Sequence, residues 1–422
     1  MITEDSDAGY QAWLDAYHGY ENPYLVVSPL LIPSGQLQAA INLEYVGDSF
    51  SFDTLSIIYE GTNGQLANLD LINTAVIIAE DYFGINVCVQ EVTDRTDNYQ
   101  NRLTTLLRGM AKQAAGLGKG HGAFAPYRVD AITLRVVSSE NGKHGSLSFG
   151  SVIESCMRSL NNLLEHLHQS FFFYLLLTPR RFVSIGTYLQ SALLISSSYS
   201  LTAIAEWNKG NKGSKSAGHV VYSIGILVIA YAIGFMLFTG LNIITLMDTT
   251  KKMYVPFFAF FHVAEVILPL KMENMLNVFF GRDGKSIVHT QTLKTFSMLL
   301  LGSMLAALSC INFSLGLFVG LSAFPLMFSS PAYRCNRYLV AITAKLFSPL
   351  TMMHFIAFCY GEGFQDLLDH YNYAWRVWGT AIPVVWWAVW WPHWLVFATI
   401  CSQHIDGPLQ VIPKKDKDIK TE

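Results

Sequence analysis

The chain has 422 residues, of which 51% are apolar, 13% aromatic and only 14% charged, and its mean hydropathy is +0.32. These values exclude a disordered chain and a wholly soluble protein, while 31 Gly, 14 Pro and 6 Cys exclude collagen-like repeats and a disulfide scaffold. A formal net charge of -3 leaves no Lys/Arg surplus for phosphate backbones, so nucleic acid is not an expected partner.

Apolar residues are unevenly spread, and the division falls near residue 180. Before it, short β-branched runs at 37–46, 55–60, 85–91 and 131–137 alternate with helical patterns at about 66–83 and 97–115. That alternation predicts an α/β domain over residues 1–150, with a mostly parallel or mixed sheet covered by helices. Asn68 and Asp70 suit the first turn of the first of these helices, and Gly116 and Gly118 close the second. A further helix is expected over roughly 150–175, because Ile153, Met157, Leu160, Leu164, Leu167 and Phe171 recur at spacings of three and four. Its stripe runs into FFFYLLL, a stretch of seven residues at 171–177 ended by Thr178-Pro179-Arg180-Arg181. That run is too short for a bilayer needing about 20 residues, so 151–180 reads as an amphipathic helix descending into the membrane interface.

Residues 181–405 read as an all-α membrane bundle, followed by a basic tail over 406–422. Spans are expected at about 182–205, 219–247, 254–270, 338–360 and 379–402, together with the apolar stretch 295–328. As one helix that stretch would be about 50 Å long against a hydrocarbon core of about 30 Å, so a break is expected near Cys310-Ile311-Asn312-Phe313-Ser314. This makes seven crossings. Alternate loops then carry Lys209, Lys212 and Lys215, next Lys271, Arg282, Lys285 and Lys294, next Arg334 and Arg337, and finally four lysines from Lys414 to Lys420. The opposite loops hold only Lys251, Lys252 and Arg376, and the loop at 361–375 is acidic. The positive-inside rule therefore places the α/β domain in a lumen or outside the cell, with a cytoplasmic C-terminus. No apolar signal precedes MITEDSD, which leads to the expectation that the natural protein is longer at its N-terminus.

The chemistry-bearing residues are few. Cys310, Cys335, Cys359 and Cys401 lie in or beside spans, Cys88 in a predicted strand and Cys156 on the amphipathic helix; with no CxxC, they read as small buried hydrophobes rather than nucleophiles. The sequon Asn312-Phe313-Ser314 falls inside an apolar stretch and is expected to be unused. His262 and Glu265 share a helix face within a span, and with Lys345 they read as locally satisfied polar groups. The polar run His168-Gln169-Ser170 closes NNLLEHLHQS just before FFFYLLL, at the expected headgroup level. There, His and Ser can hydrogen-bond phosphate, and a Gln carbonyl is a hard oxygen donor suited to Mg²⁺.

Two resemblances sharpen this reading. ITEDSDAGYQAWLDAYH from Ile2, INLEYVG (41–47) and the segment from His121 to Leu134 resemble three pieces of the co-catalytic zinc aminopeptidase fold, with Glu4, Glu44 and His121 at the positions of its general base and metal ligands. The match departs from that family at Asp5 and Glu44, and its upstream ligands have no place in this chain. It therefore implies an incomplete, inherited α/β fold whose metal site has decayed, with zinc not expected; an active membrane-anchored zinc aminopeptidase is the alternative.

The second resemblance is carried by NNLLEHLHQSFFFYLLLTPRRFVSIGTYL (161–189), AWLDAYH (12–18), EGTNGQLANLDL (60–71), YRVDAITLR (127–135) and INFSLGLF (311–318). In collinear order these resemble the glycosylphosphatidylinositol (GPI) anchor attachment protein family, the large membrane subunit of GPI transamidase. The resemblance implies a non-catalytic subunit of the endoplasmic reticulum membrane that binds and positions GPI for a separate cysteine-protease-like subunit acting on precursor proteins. It further implies that His168 and Ser170 contact GPI and that Gln169 ligates Mg²⁺.

Overall fold

The computed structural model describes residues 8–32, 35–94, 96–116, 120–162, 172–209, 217–247, 254–280, 286–330, 337–360 and 363–402. Strands β1 (Ala39–Val46), β2 (Ser51–Ile58), β3 (Asn86–Val89) and β4 (Asp130–Ser138) stand where the β-branched runs predict them, within a few residues. Their order in the sheet is β1-β4-β2-β3, with the short β5 (His144–Gly145) added to β2. The β1–β4 and β2–β3 pairs are parallel and β2–β4 antiparallel, which realises the mixed alternative. Helix α1 (Ala8–His18) precedes the sheet, and α2 (Leu69–Ile77) and α3 (Tyr99–Ala115) fill the two helical intervals. Asn68 starts α2 by accepting from the Asp70 amide at 2.9 Å, and Gly116 ends α3 in the left-handed conformation that a glycine adopts without strain.

The central strand β4 is buried continuously from Ala131 to Leu134, whereas β2 alternates, with Phe52, Leu55 and Ile57 turned inward between polar residues. Leu55 and Ile57 of β2 meet Ile132, Leu134 and Val136 of β4 in one buried cluster, closed by Leu71, Ile72 and Val76 of α2. The next helix, α4 (Ser146–Asn161), begins earlier than predicted; Ile153 and Leu160 of the predicted stripe pack against the core, but the face turned fully inward lies to one side of it. Phe149, Val152 and Cys156 are its buried residues, whereas Met157 is exposed.

The expectation of a helix continuing to residue 175 is not met. Where the described chain resumes it forms a hairpin, β6 (Tyr174–Thr178) against β7 (Arg181–Ser184). A short apolar run closed by a proline suits a buried strand as well as a helix, and periodicity cannot separate the two. The packing does. Tyr174 is buried in the sheet-domain core, and its hydroxyl donates to the Ala67 carbonyl at 2.6 Å. Arg180 pairs with Glu80 at 2.7 Å and Asp81 at 2.5 Å, and Arg181 pairs with Asp97 at 2.8 Å. The basic turn therefore fastens the hairpin to the sheet domain, and the segment 172–184 belongs to that domain rather than to a separate interfacial helix.

Beyond residue 184 the chain is helical: α5 (Ile185–Lys209), α6 (Ala217–Met247), α7 (Tyr254–Phe280), α8 (Ser286–Ile311), α9 (Phe313–Ser322), α10 (Arg337–Ala344), α11 (Pro349–Tyr360), α12 (Phe364–Trp378) and α13 (Ile382–Ser402), the last with a π-helical stretch at Val385–Trp390. Among the described residues three helices are long and apolar enough to cross a membrane, at Ala217–Ile244, Thr290–Ile311 and Ile382–Ser402. A fourth crossing results if α10 and α11, bent by 52° at their junction, form one broken span. The predicted break at 310–314 is present: Asn312 separates α8 from α9 and caps α9 by accepting from the Leu315 amide at 3.0 Å. The segment expected as an acidic loop at 361–375 is largely the amphipathic helix α12. Helices α5 and α8 approach closely at Gly302, where a β-carbon would press on the Ser196 carbonyl and the Tyr199 side chain. The buried His393 ties three helices together, with Tyr231 Oη 2.8 Å from its Nε2 and Ser297 Oγ 2.8 Å from its Nδ1.

Candidate ligand-binding cleft

Two of the three aminopeptidase-like positions fall among the described residues, and one hydrogen-bond chain connects them. The parallel β1–β4 register sets Asn42 beside Thr133 and Glu44 beside Arg135 on one face of the sheet. Asn42 donates to Glu44 at 3.4 Å and to Thr133 Oγ1 at 3.0 Å, and that hydroxyl lies 2.8 Å from His121 Nδ1. His121 Nε2 is in turn 3.1 Å from the Glu60 carbonyl oxygen, and Tyr10 donates to Asn42 at 2.6 Å.

The chain of contacts leaves little for a metal. Both ring nitrogens of His121 are engaged, and Glu44 faces the Arg135 guanidinium at 3.7 Å. This donor set does not fit zinc, which needs free imidazole nitrogens and unpaired carboxylates converging on one point. Among the described residues no three His, Cys, Asp or Glu side chains converge in that way. Glu4 lies outside the described residues. The thiols of Cys88 and Cys156 are both raised by burial, that of Cys156 to about 11, which keeps them protonated and unreactive.

Burial lowers the His121 imidazole to about 4, so it is neutral in the fold. In the unfolded chain it takes up a proton near 6.5. Stability is therefore full above pH 6.5 and is lost as the pH falls from about 6.5 to about 4, by up to about 1.4 kcal/mol per pH unit. Burial raises the Glu60 carboxyl, which acts in the opposite sense. His121→Gln is expected to flatten the decline of the unfolding midpoint across that window. A pH series of thermal unfolding on the two proteins checks this; parallel curves would refute it.

Beside this seam, the sheet domain and the helical bundle enclose a cleft of about 680 Å³. Gln65, Arg128 and Asp130 line it from the sheet domain, Phe172 and Phe173 from the start of the hairpin, and Tyr188, Cys310 and Phe313 from α5, α8 and α9. Asp130 accepts from the Asn68 amide at 3.0 Å, and burial raises its carboxyl. Arg128 is the cation of the wall. Its backbone is left-handed at φ 58°, a conformation costly for a side-chain-bearing residue and concentrated at functional positions. The sequence signals neither its conformation nor its place in the cleft. His168, Gln169 and Ser170 lie outside the described residues, and the described chain resumes at Phe172, on the cleft wall.

A polar latch holds the two walls in register. Asn312 is buried, and its Nδ2 donates to the Asn63 carbonyl at 3.1 Å and the Gln113 carbonyl at 3.0 Å. Ser314 donates to Gln113 Oε1 at 2.5 Å, and Gln113 Nε2 to the Gly64 carbonyl at 3.1 Å. Asn63 completes the latch by donating to the Gly379 carbonyl at 3.1 Å and accepting from the Ala381 amide at 2.6 Å.

Comparison with known proteins places most of the chain in one family. A family model described as Gaa1-like, GPI transamidase component, matches residues 1–398. The GPI transamidase component gaa1 of Schizosaccharomyces pombe is 32% identical over 353 residues, which is 82% of this chain and 56% of the relative. The GPI transamidase component GAA1 of Saccharomyces cerevisiae is 30% identical over 336 residues, 78% of this chain and 50% of the relative. The chain thus spans about half the length of the curated relatives it matches. It belongs to the Gaa1-like family of GPI transamidase components.

Proposed function

We propose that the chain acts as a non-catalytic subunit of GPI transamidase, binding the GPI lipid and positioning it for attachment to proteins in the endoplasmic reticulum. The observation that carries this reading is the cleft between the sheet domain and the apolar helices, with Arg128 on one wall and Phe172 and Phe173 on another. An amphiphile with phosphate groups and acyl chains requires such a mixture of cation and aromatic surface beside a membrane. His168 and Ser170, two and four residues before Phe172, would contact GPI phosphates. Gln169 would offer a carbonyl oxygen to Mg²⁺, a hard donor that fits this ion as Asp130 on the cleft wall does.

In this reading the sheet domain is an aminopeptidase-like fold facing the lumen, the bundle crosses the membrane seven times, and the C-terminus is cytoplasmic. A separate cysteine-protease-like subunit carries out the transamidation on precursor proteins. The present chain contributes proximity and orientation, which alone account for large rate factors. The decayed metal positions speak against the alternative of an active zinc aminopeptidase.

In cells lacking the endogenous subunit, His168→Ala or Ser170→Ala is expected to lower surface display of a GPI-anchored reporter at least about tenfold. The subunit should still co-purify with the complex. Arg128→Gly should do the same with the fold intact, because glycine adopts φ 58° freely. Normal anchoring by all three variants would overturn the assignment.

A further inference from the structure

The link between α1 and β1 carries no charged residue from Asn22 to Leu43. It also exposes large apolar side chains in succession: Tyr24 is 48% exposed, Val26 103%, Leu31 99% and Ile32 88%. Leu25, between them, turns inward and packs on the cluster formed by Leu14, Phe124 and Trp378. That cluster fixes the height of the strip relative to the membrane. Trp378, Val377 and Ala374 belong to α12, which joins the broken span α10–α11 to the span α13 and so lies at one membrane surface. The strip therefore leaves the sheet domain at the level where the bundle meets the headgroups.

Its neighbourhood has the composition of that level. Trp13 and Tyr17 stack at 5.4 Å, His18 and Tyr127 at 4.4 Å, and Tyr20 lies beside Tyr127. Tyrosine and tryptophan concentrate where one end of a ring is apolar and the other wet. A protein partner's docking site would be expected to carry a polar, partly charged rim. From Asn22 to Ile32 the strip itself carries no charge, and its contact with the cluster on α12 sets it at the level of the bundle's membrane surface. Phe50 and Leu147 are also prominently exposed in the sheet domain but lie on other segments, Phe50 between Asp48 and Asp53.

We infer that residues 24–32 form an interfacial anchor: Val26, Leu31 and Ile32 insert into the boundary between lipid headgroups and acyl chains and hold the sheet domain against the bilayer. Apolar segments of this kind lie about 5–10 Å into that boundary. The inference needs only that the bundle resides in a bilayer, and it is independent of GPI binding.

The test uses the full chain in phosphatidylcholine vesicles, with Cys310, Cys335 and Cys359 replaced by Ser in the parent and single added cysteines at Val26, Ile32, Phe50 and Leu147, each carrying an environment-sensitive fluorophore. The unlabelled-site parent supplies the blank. Labels at 26 and 32 are expected to shift to the blue and lose about half their emission when the phosphatidylcholine chains are brominated. Labels at 50 and 147 should not change. Because all four side chains are exposed, the substitutions leave the packing alone, and a size-exclusion profile matching the parent confirms it. Quenching at 26 and 32 no greater than at 50 overturns the inference. So does a blue shift without bromine quenching, which would place the strip against protein.

Discussion

Asn312→Ala is expected to release the sheet domain from the helical bundle, because one amide performs three tasks at that junction. Its oxygen caps α9, and its nitrogen satisfies the carbonyls of Asn63 and Gln113, which belong to the other domain. Truncation leaves two buried carbonyls without donors, at about 1–3 kcal/mol each, and removes a cap worth about 1 kcal/mol. The total of about 3–7 kcal/mol is comparable to the stability of many whole domains. Asn312→Asp separates the contributions. A carboxylate still accepts from the Leu315 amide and favours a helix N-terminus, but it meets two carbonyl oxygens with negative charge. Both variants should therefore lose hydrogen-exchange protection in the 60–66 loop and at the end of α3, while the amides of β2 and β4 stay protected. Unchanged protection at 60–66 in Asn312→Ala would show that the latch does not hold the domains. Gly64 has no room to adapt: its φ is +75° and a β-carbon there would collide with the Asn312 amide. The same geometry accounts for the sequon, since the nitrogen that glycosylation needs is buried and already donates twice.

The parts of the fold that were legible in the sequence are those set by local signals. β-branched runs marked β1 to β4, a capping Asn68 and a left-handed Gly116 marked helix ends, and the length of 295–328 demanded a break that Asn312 supplies. The parts that were not legible depend on partners remote in sequence. Tyr174 to Leu176 form a strand because Ala67 and the sheet core receive them, not because of their own spacing. The inward face of α4 is chosen by the sheet it covers, which selects Val152 and Cys156 over Met157. The cleft illustrates the limit most clearly. Its residues come from the 60–66 loop, the 128–131 strand start, the hairpin and four helices, and no periodicity in one segment announces that the others will meet it. Glu44 and His121 were legible as a pair through resemblance, but nothing in the motifs that hold Asn42 and Thr133 marks these two as the residues that connect them.

Lys345→Met is expected to destabilise the bundle. Glu265 on α7 is fully buried; its Oε2 accepts from Ser348 Oγ at 3.2 Å, and the Trp391 indole faces the same carboxyl. Lys345 is the basic side chain that faces it, and its Nζ donates to the His262 carbonyl at 3.3 Å. The pair sits at the 52° bend between α10 and α11, where Thr351 Oγ1 donates to the Lys345 carbonyl at 2.8 Å and replaces a helical hydrogen bond. Removing the lysine takes the facing cation away from a buried carboxyl, which costs about 1–3 kcal/mol. Glu265→Gln should cost less, because a half-exposed lysine can snorkel toward the interface. The double variant Glu265→Gln with Lys345→Met removes both charges and should recover most of the loss. The readout is the temperature at which half of the detergent-solubilised protein leaves its monodisperse peak. If Lys345→Met melts no lower than the double variant, the two charges are not coupled and the bend must be held by Ser348 and Thr351 alone.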